Sequence, residues 1–466
     1  MRVLIAGASG FIGQDLARRL SEGGHEVIAA SRRGPAPIEG VTALALDVAD
    51  EQATARALEG VDAAYYLVHS LDAGESFAER DKLLAQRFAR AAAACAVRRI
   101  IYLGGLGSGE LSEHLRSRQE VGIMLASTGV DVVELRAAVI VGAGSTSFEM
   151  MRYLVERLPA MVCPRWVKTP IEPIARDDVL DYLREALTVA PGIYGIGGPT
   201  TTYRDLMQTY ARVRGLRPRA IVDVPLLTLH LSSYWVDLVT PVDRRVSHAL
   251  IESLSIPVVV PDREHTDAAF VTRPRSTEDA LAAALGRQRQ DIDDDLLRRP
   301  AGLADGVHVV RQRRAIADHQ VEAVARDLAR GGGDLGWYGT VRAWRLRLWI
   351  GRLAGERFAL QRPDKLRAGQ MLDWWRVVRW DGAVLVLRAD GWQAGEAWLA
   401  FQVLSDPHPC LILHAAFRPK GVPGFAYWQL LEPVHRWAFG RMTTHRILRA
   451  GAASRGADPK NTSLFP

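Results

Sequence analysis

The 466-residue sequence predicts an α/β fold, a doubly wound parallel sheet with a small appended subdomain, followed by a separate α+β domain. Three observations carry this expectation. Short apolar runs alternate with amphipathic helical patterns up to about residue 190. A glycine-rich turn follows the first apolar run and opens the first helix. Ten of the twelve tryptophans fall between 337 and 437, where the patterning changes to that of antiparallel strands.

The runs VLIAG (3–7), EVIAA (26–30), TALAL (42–46), AAYYLV (63–68), RIIYLGG (99–105) and DVVELRAAVIVG (131–142) are the expected strands. They are apolar without alternation, as strands read when helices cover both faces of a parallel sheet. Between them, FIGQDLARRLSEG and ERDKLLAQRFARAAAACAV place apolar residues at helical spacing. The pattern then loosens through GIYGIGGPTTTYRDLMQTYARVRG and VDVPLLTLHLSSYWVDLVTPV, which predicts an appended substrate subdomain over 190–300. The first domain is expected to span 1–300, with its central part at about 1–165. Residues 301–335, rich in Arg and Ala and ending in Gly331-Gly332-Gly333, predict a helical connector.

The remaining segment, 336–466, is read as a helix-grip-like domain. AVLVLRAD (383–390), EAWLAFQVL (396–404) and CLILHAAF (410–417) are strand candidates. After them, FAYWQLLEPVHRWAFGRMTTHRIL spaces Trp428, Leu431, His435 and Phe439 three or four apart, the period of one amphipathic helix. A curved sheet gripping such a helix leaves room for an apolar cavity lined by Trp374, Trp375, Trp398, Trp428 and His435.

Composition excludes several classes. Cys95, Cys163 and Cys410 are far apart and show no ligand spacing, so neither a disulfide framework nor a metal site is expected, and a reducing cytoplasmic setting fits. No run approaches the ~18 apolar residues of a membrane span. The net charge of +6 comes from scattered arginines, only five of 59 basic residues being lysine, and no nucleic-acid partner is expected. The stretch TVRAWRLRLWIGRL (340–353) mixes Trp and Leu with four arginines, which leaves peripheral membrane contact or binding to a protein complex open.

The turn GASGFIG (7–13) carries the chemistry. Gly7 permits the tight turn, Gly10 lets backbone approach a pyrophosphate held at the helix N-terminus, and Gly13 allows the helix to pack on the strand. Ser9, Phe11 and Ile12 complete the expected cofactor loop of a Rossmann-like domain. The second strand ends in Ser31, Arg32 and Arg33, where an NAD-preferring protein would carry an acid, so NADP(H) is expected over NAD(H). Asp47 and Val48, after the third strand, are placed toward the adenine. Leu67, His69 and Ser70, after the fourth, are placed toward the nicotinamide ribose.

These residues resemble the extended and atypical short-chain dehydrogenase/reductases. YYLVHS (65–70), IIYLGGL (100–106), SEHLRSRQEVG (112–122) and ELRAAVIVGAGSTSFEMMRYLVERLP (134–159) resemble one bacterial branch, which joins an atypical, NmrA-like NAD(P)-binding domain to a DUF2867 domain. LDWWRV (372–377), GEAWLAF (395–401) and FRPKGVPGFAYWQLLEPVHRWAFGRM (417–442) match the second of these. The loop RADGWQAGEAW (388–398) departs from the Met-Lys-Leu-Pro-like run of relatives. The N-terminal half is also similar to the reductase-like accessory subunit of respiratory complex I, a resemblance that implies NADPH binding in a structural role.

In catalytically typical members of the reductase family a tyrosine four residues before a lysine handles the proton. His114 and Arg118 stand at that spacing here. His114 or His69 is the candidate proton donor, with Arg118 orienting a ribose, and solvated helix residues are the plain alternative. Ser108 lies near the position of a carbonyl-polarising serine. Two readings stay open. One is an NAD(P)H-dependent oxidoreductase acting on a hydrophobic carbonyl or quinone-like small molecule. The other is a non-catalytic NADP(H)-binding redox sensor or assembly protein.

Overall fold

The structure is a computed structural model. It describes residues 1–69, 77–223, 256–297, 306–330, 362–363, 365–392, 394–405 and 409–453. Ser70, the expected segment VDVPLLTLHLSSYWVDLVTPV beyond its first two residues, Gly331-Gly332-Gly333 and the stretch 340–353 lie outside the described residues. The chain divides into two compact units, Met1–Arg287 and Gln288–Pro466.

The first unit is built on seven parallel strands: β1 (Arg2–Ala6), β2 (Glu26–Ser31), β3 (Val41–Ala45), β4 (Ala63–Tyr66), β5 (Arg99–Gly105), β6 (Asp131–Ala137) and β7 (Gly192–Ile196). Their order is β7-β6-β5-β4-β1-β2-β3, so the winding reverses between β1 and β4 and opens a crevice at the carboxyl ends there. Successive residues on a strand point to opposite faces. Tyr65, Ile101 and Leu103 enter one core with Leu16 and Leu20, and Tyr66, Ile100 and Tyr102 enter the other with Leu84 and Phe88. That double burial is why the strands read as unbroken apolar runs. The edge strand β3 is partly solvent-exposed despite the same composition.

Helices α1 (Gly13–Glu22), α2 (Glu51–Leu58), α3 (Phe77–Ala94), α4 (Glu113–Ala126), α5 (Thr146–Arg157), α6 (Arg176–Glu185) and α7 (Tyr203–Val213) follow. Several starts are fixed by side chains that satisfy otherwise orphaned N–H groups. Asp50 accepts from Ala53 N at 2.9 Å, and Ser112 accepts from Leu115 N at 3.3 Å. A short helix, α8 (Arg263–Ala269), and the longer α9 (Thr277–Asp295), which runs on past Arg287 into the second unit, come after residue 256.

Two expectations need correction in this unit. GIYGIGG does not begin the appended part, because its strand β7 is the edge of the main sheet, paired in parallel with β6 from Val133 to Ala137. The appended core instead gathers Phe148, Met151, Tyr210, Val258 and Leu281, drawn from four separate stretches of chain. Expected strand 131–142 also breaks at residues 138–139, after which Ile140–Val141 pairs with Ile174–Ala175 outside the main sheet. An appended core assembled from distant segments leaves no local periodicity to read.

Among the described residues the second unit holds six antiparallel strands: β8 (His308–Ala315), β9 (Met371–Leu372), β10 (Trp375–Trp380), β11 (Val384–Trp392), β12 (Gly395–Leu404) and β13 (Cys410–Pro419), in the order β8-β13-β12-β11-β10-β9. Helices α10 (Val321–Ala329) and α11 (Gly421–Ala453) cover one face. The helical connector expected over 301–335 is therefore in part a strand. HVVRQRRA pairs with β13 from His308–Phe417 to Ala315–Cys410. Arginine is a good helix former, but strand pairing overrides local propensity, and charged residues suit an edge strand.

The cavity expectation also changes. Trp374, Trp375 and Trp428 pack in the core beneath α11, whereas Trp398 enters the opposite core with Ile292 and Leu296 of the α9 end. Five residues on two sides of one sheet cannot line a single cavity. Around Trp398 lies a buried polar ladder. Trp398 Nε1 donates to Asp293 Oδ1 at 2.6 Å, and Glu396 accepts from Arg289 Nε at 2.9 Å and Arg418 Nε at 2.6 Å. Arg418 Nη1 also donates to Gln288 Oε1 at 3.1 Å, and Arg388 pairs with Asp293.

Candidate functional site

At the switch between β1 and β4 the loop after β1 turns back on itself. The N–H groups of Gly7 and Ala8 both donate to the Ala30 carbonyl, at 2.9 and 3.0 Å, and Gly10 N donates to Gly7 O at 3.0 Å. Gly7 has a φ of +93°, and a Cβ there would sit 2.7 Å from the Leu67 carbonyl oxygen. A Cβ on Gly13 would sit 2.5 Å from Gly7 O, so both positions exclude a side chain by backbone contact. The loop thereby brings bare backbone to the N-terminus of α1, the geometry that receives a diphosphate.

A cleft of about 320 Å³ opens beside this loop. Gly7, Gly10, Phe11, Ile12, Gly13, Leu67, His69, His114 and Arg118 are on its walls, so the expected loop and the expected proton-handling residues come together. Ser9, Ser31, Arg32, Asp47 and Val48 are not among its wall residues. Ser31 is buried and its Oγ has no hydrogen-bond partner. Arg32 beside it is exposed. This hydroxyl at the end of β2, unpartnered among the described residues and next to an exposed arginine, fits a cofactor ribose and its substituents. Asp47 Oδ1 accepts from Ala49 N at 3.0 Å and so caps its own turn, while the Val48 side chain packs into the core. Ser108 is exposed in the loop after β5 and is not a wall residue.

Helix α4 brings His114 and Arg118 to the cleft one turn apart, with Ser112 fixing its start. Arg118 is held in place: its guanidinium donates to the Leu103 carbonyl and lies 5.4 Å from the Tyr102 ring centroid. Tyr102 Oη donates to Arg118 O at 2.8 Å, and burial pushes its phenol up to about 12. Tyr102 is thus a strut between β5 and α4. Desolvation, then the Arg118 charge, then His69 hold His114 down at about 3. His69 presents an exposed edge, yet the protein packed around its ring and the Arg118 charge lower it to about 4. Both imidazoles are neutral near pH 7, each offering one ring N–H.

Sequence reading missed the far wall. Leu103–Leu106, Ala137–Ile140, Gly144–Ser147, Tyr203 and Val258 complete the cleft, and most of this surface is apolar. The glycine- and serine-rich run GAGSTS after β6 was the available signal, because small residues at a strand end mark close approach. Among the described residues, Tyr203 is the one tyrosine on these walls, and burial raises its phenol far above the usual range. Among the described residues, no group of three or more His, Cys, Asp or Glu is placed to hold a metal ion. No described helix is long and apolar enough to cross a membrane.

Residues 3–113 match the NAD dependent epimerase/dehydratase family, and residues 303–442 match the protein family of unknown function DUF2867. A 2-alkyl-3-oxoalkanoate reductase of Stenotrophomonas maltophilia (strain K279a) is 41% identical over 68 residues, 14% of this chain. The match spans about a fifth (21%) of that reductase's length. Among solved structures, the UDP-glucose 4-epimerase of Thermotoga maritima is 15% identical, with 62% of this chain and 99% of that one covered at a TM-score of 0.48. The Bordetella bronchiseptica enzyme WbmG, solved with NAD and UDP, is 17% identical, with 62% and 95% covered at 0.49. DesIV, a dTDP-glucose 4,6-dehydratase of Streptomyces venezuelae, is 20% identical, with 63% and 98% covered at 0.48. The chain thus joins an N-terminal segment that matches the NAD dependent epimerase/dehydratase family to a C-terminal segment that matches DUF2867.

Proposed function

We propose that the N-terminal unit is an NADP(H)-dependent reductase of a hydrophobic carbonyl compound. The observation that carries this reading is the meeting, in one cleft, of the glycine cradle, two neutral histidines and an apolar far wall. Bound NADPH supplies a hydride. The glycine loop holds its diphosphate, and Ser31 with Arg32 engages the ribose 2′-phosphate. Leu103, Leu106 and Val139 exclude water and hold the apolar part of the substrate. His114 donates a hydrogen bond from its ring N–H to the carbonyl oxygen, and the alkoxide formed by hydride addition takes its proton from solvent water at the cleft mouth. Burial together with the Arg118 charge keeps the ring neutral. A neutral imidazole polarises a carbonyl without first having to be protonated. The 2-alkyl-3-oxoalkanoates acted on by the matched reductase are the first substrates to try, followed by quinones.

His114→Ala is expected to lower turnover by about 10²–10³-fold while leaving NADPH affinity unchanged, as loss of a single polarising donor does. Because His114 titrates near 3, the wild-type rate should be flat from about pH 5 to 8. An acid limb near 6.5 that disappears in the variant would contradict the neutral-donor role. Arg32→Ala is expected to weaken NADPH by about 10–100-fold and NADH not at all, the effect of losing a charge-assisted contact. Equal weakening of both cofactors in a fluorescence titration would refute the phosphate contact.

One observation favours the second reading. The Arg118 guanidinium already donates to the Leu103 carbonyl, and no lysine stands at its position. NADPH binding with no turnover across oxoalkanoate and quinone panels would make the unit a redox sensor or assembly protein.

A further inference from the structure

Helix α11 buries one face and leaves the opposite one bare. Trp428, Phe439 and Met442 point into the core of the second unit, with Arg446 beside them bonded to Asp327. Half a turn away, Leu430, Val434, Trp437 and Leu448 form one line along the helix at intervals of four, three and eleven residues. At 100° per residue they fall within about 60° of one another and opposite the buried set. They are exposed by 77%, 52%, 59% and 49% respectively, far more than large apolar side chains on a working helix usually are.

The charge around this line is predominantly positive. Arg441 lies within it, its guanidinium 5.6 Å from the Trp437 ring centroid. Arg436 and Arg441 of α11, with Arg314 of β8, border an open groove of about 870 Å³ along the helix, whose wall also carries Glu432 and His445. Glu432 is the one acidic residue in α11, and it is paired with Arg436 at 2.6 Å. Protruding leucine and tryptophan flanked by arginine match the boundary of an anionic bilayer, where apolar tips enter the acyl region and guanidiniums meet phosphate. A two-fold pairing of this face with itself would set arginine against arginine. A nucleic acid would leave the leucines without apolar company.

We propose that the outer face of α11 is a docking surface for an anionic lipid bilayer. The apolar line supplies insertion and the arginines supply charge selectivity, so neither neutral lipid nor a polyanion alone satisfies it.

The test uses the full chain and vesicles of phosphatidylcholine alone or with about one third phosphatidylglycerol, read by co-sedimentation at low and high salt. Binding to the anionic vesicles should exceed binding to the neutral ones by about tenfold or more, and salt should weaken it. Leu430→Ser/Trp437→Ser and, separately, Arg436→Glu/Arg441→Glu should each lower it by about tenfold or more. All four positions are on the surface, so thermal melts should match wild type, and either pair alone suffices if the other misfolds. Equal binding to neutral and anionic vesicles overturns the proposal, as does anionic binding that survives both pairs. So does a dimer in solution that the Leu430/Trp437 pair converts to monomer while wild type ignores vesicles.

Discussion

Gly7→Ala should abolish NADPH binding, raising Kd by at least about a hundredfold, while most of the first unit stays folded. The added Cβ meets two penalties. A left-handed backbone costs a non-glycine residue about 1–2 kcal/mol. The atom also lands 2.7 Å from the Leu67 carbonyl oxygen, well inside van der Waals contact. Leu67 cannot yield freely, because its N–H is tied to Ala6 O at 2.9 Å in continuation of the β1–β4 ladder. The loop must therefore move, and with it Gly10, whose N–H bonds to Gly7 O. A fluorescence titration with NADPH and NADH, beside a thermal melt, checks this. Retention of affinity within threefold would mean that the loop after β1 does not hold the diphosphate.

Glu396→Ala should destabilise the second unit by about 3–5 kcal/mol, the range for breaking a buried ion pair from one side. Glu396 and Arg418 are both buried on the sheet, and the carboxylate is shared with Arg289. Truncation leaves the Arg418 guanidinium in the core with Gln288 Oε1 as a neutral acceptor in place of its counter-charge. Glu396→Gln keeps an acceptor oxygen and should cost distinctly less. Chemical denaturation of both variants measures the difference, and a loss below about 1 kcal/mol for Glu396→Ala would show the ladder to be solvated instead of buried.

Much of the first unit was legible because each of its signals is local. A strand buried on both faces shows as a run such as RIIYLGG, and a turn that excludes side chains shows as Gly7 and Gly13. That His114 and Arg118 lie one turn apart on a single helix was legible as well, since their spacing is that of a helix. What the sequence withheld depends on tertiary contact. The roles of Tyr102 and Arg118 as mutual struts arise from where β5 meets α4. The neutrality of His114 is set by burial and by a charge one turn away, neither of which has a periodicity. The far wall of the cleft combines Tyr203 and Val258 with the end of β6, across more than a hundred residues of chain. In the second unit, HVVRQRRA misled because its pairing partner, β13, lies about a hundred residues later.

The central position of β12 has a consequence for how the second unit meets water. Its residues alternate between two cores, Leu399 and Phe401 to one side and Trp398 and Ala400 to the other, and β11 and β13 occupy both its edges. A strand hemmed in on four sides has no local opening that exposes its amides. Hydrogen exchange there must wait for the whole unit to unfold, whereas β8, with a single neighbour among the described residues, can fray on its own. The slowest amides of this unit thus mark the strand whose protection equals its global stability.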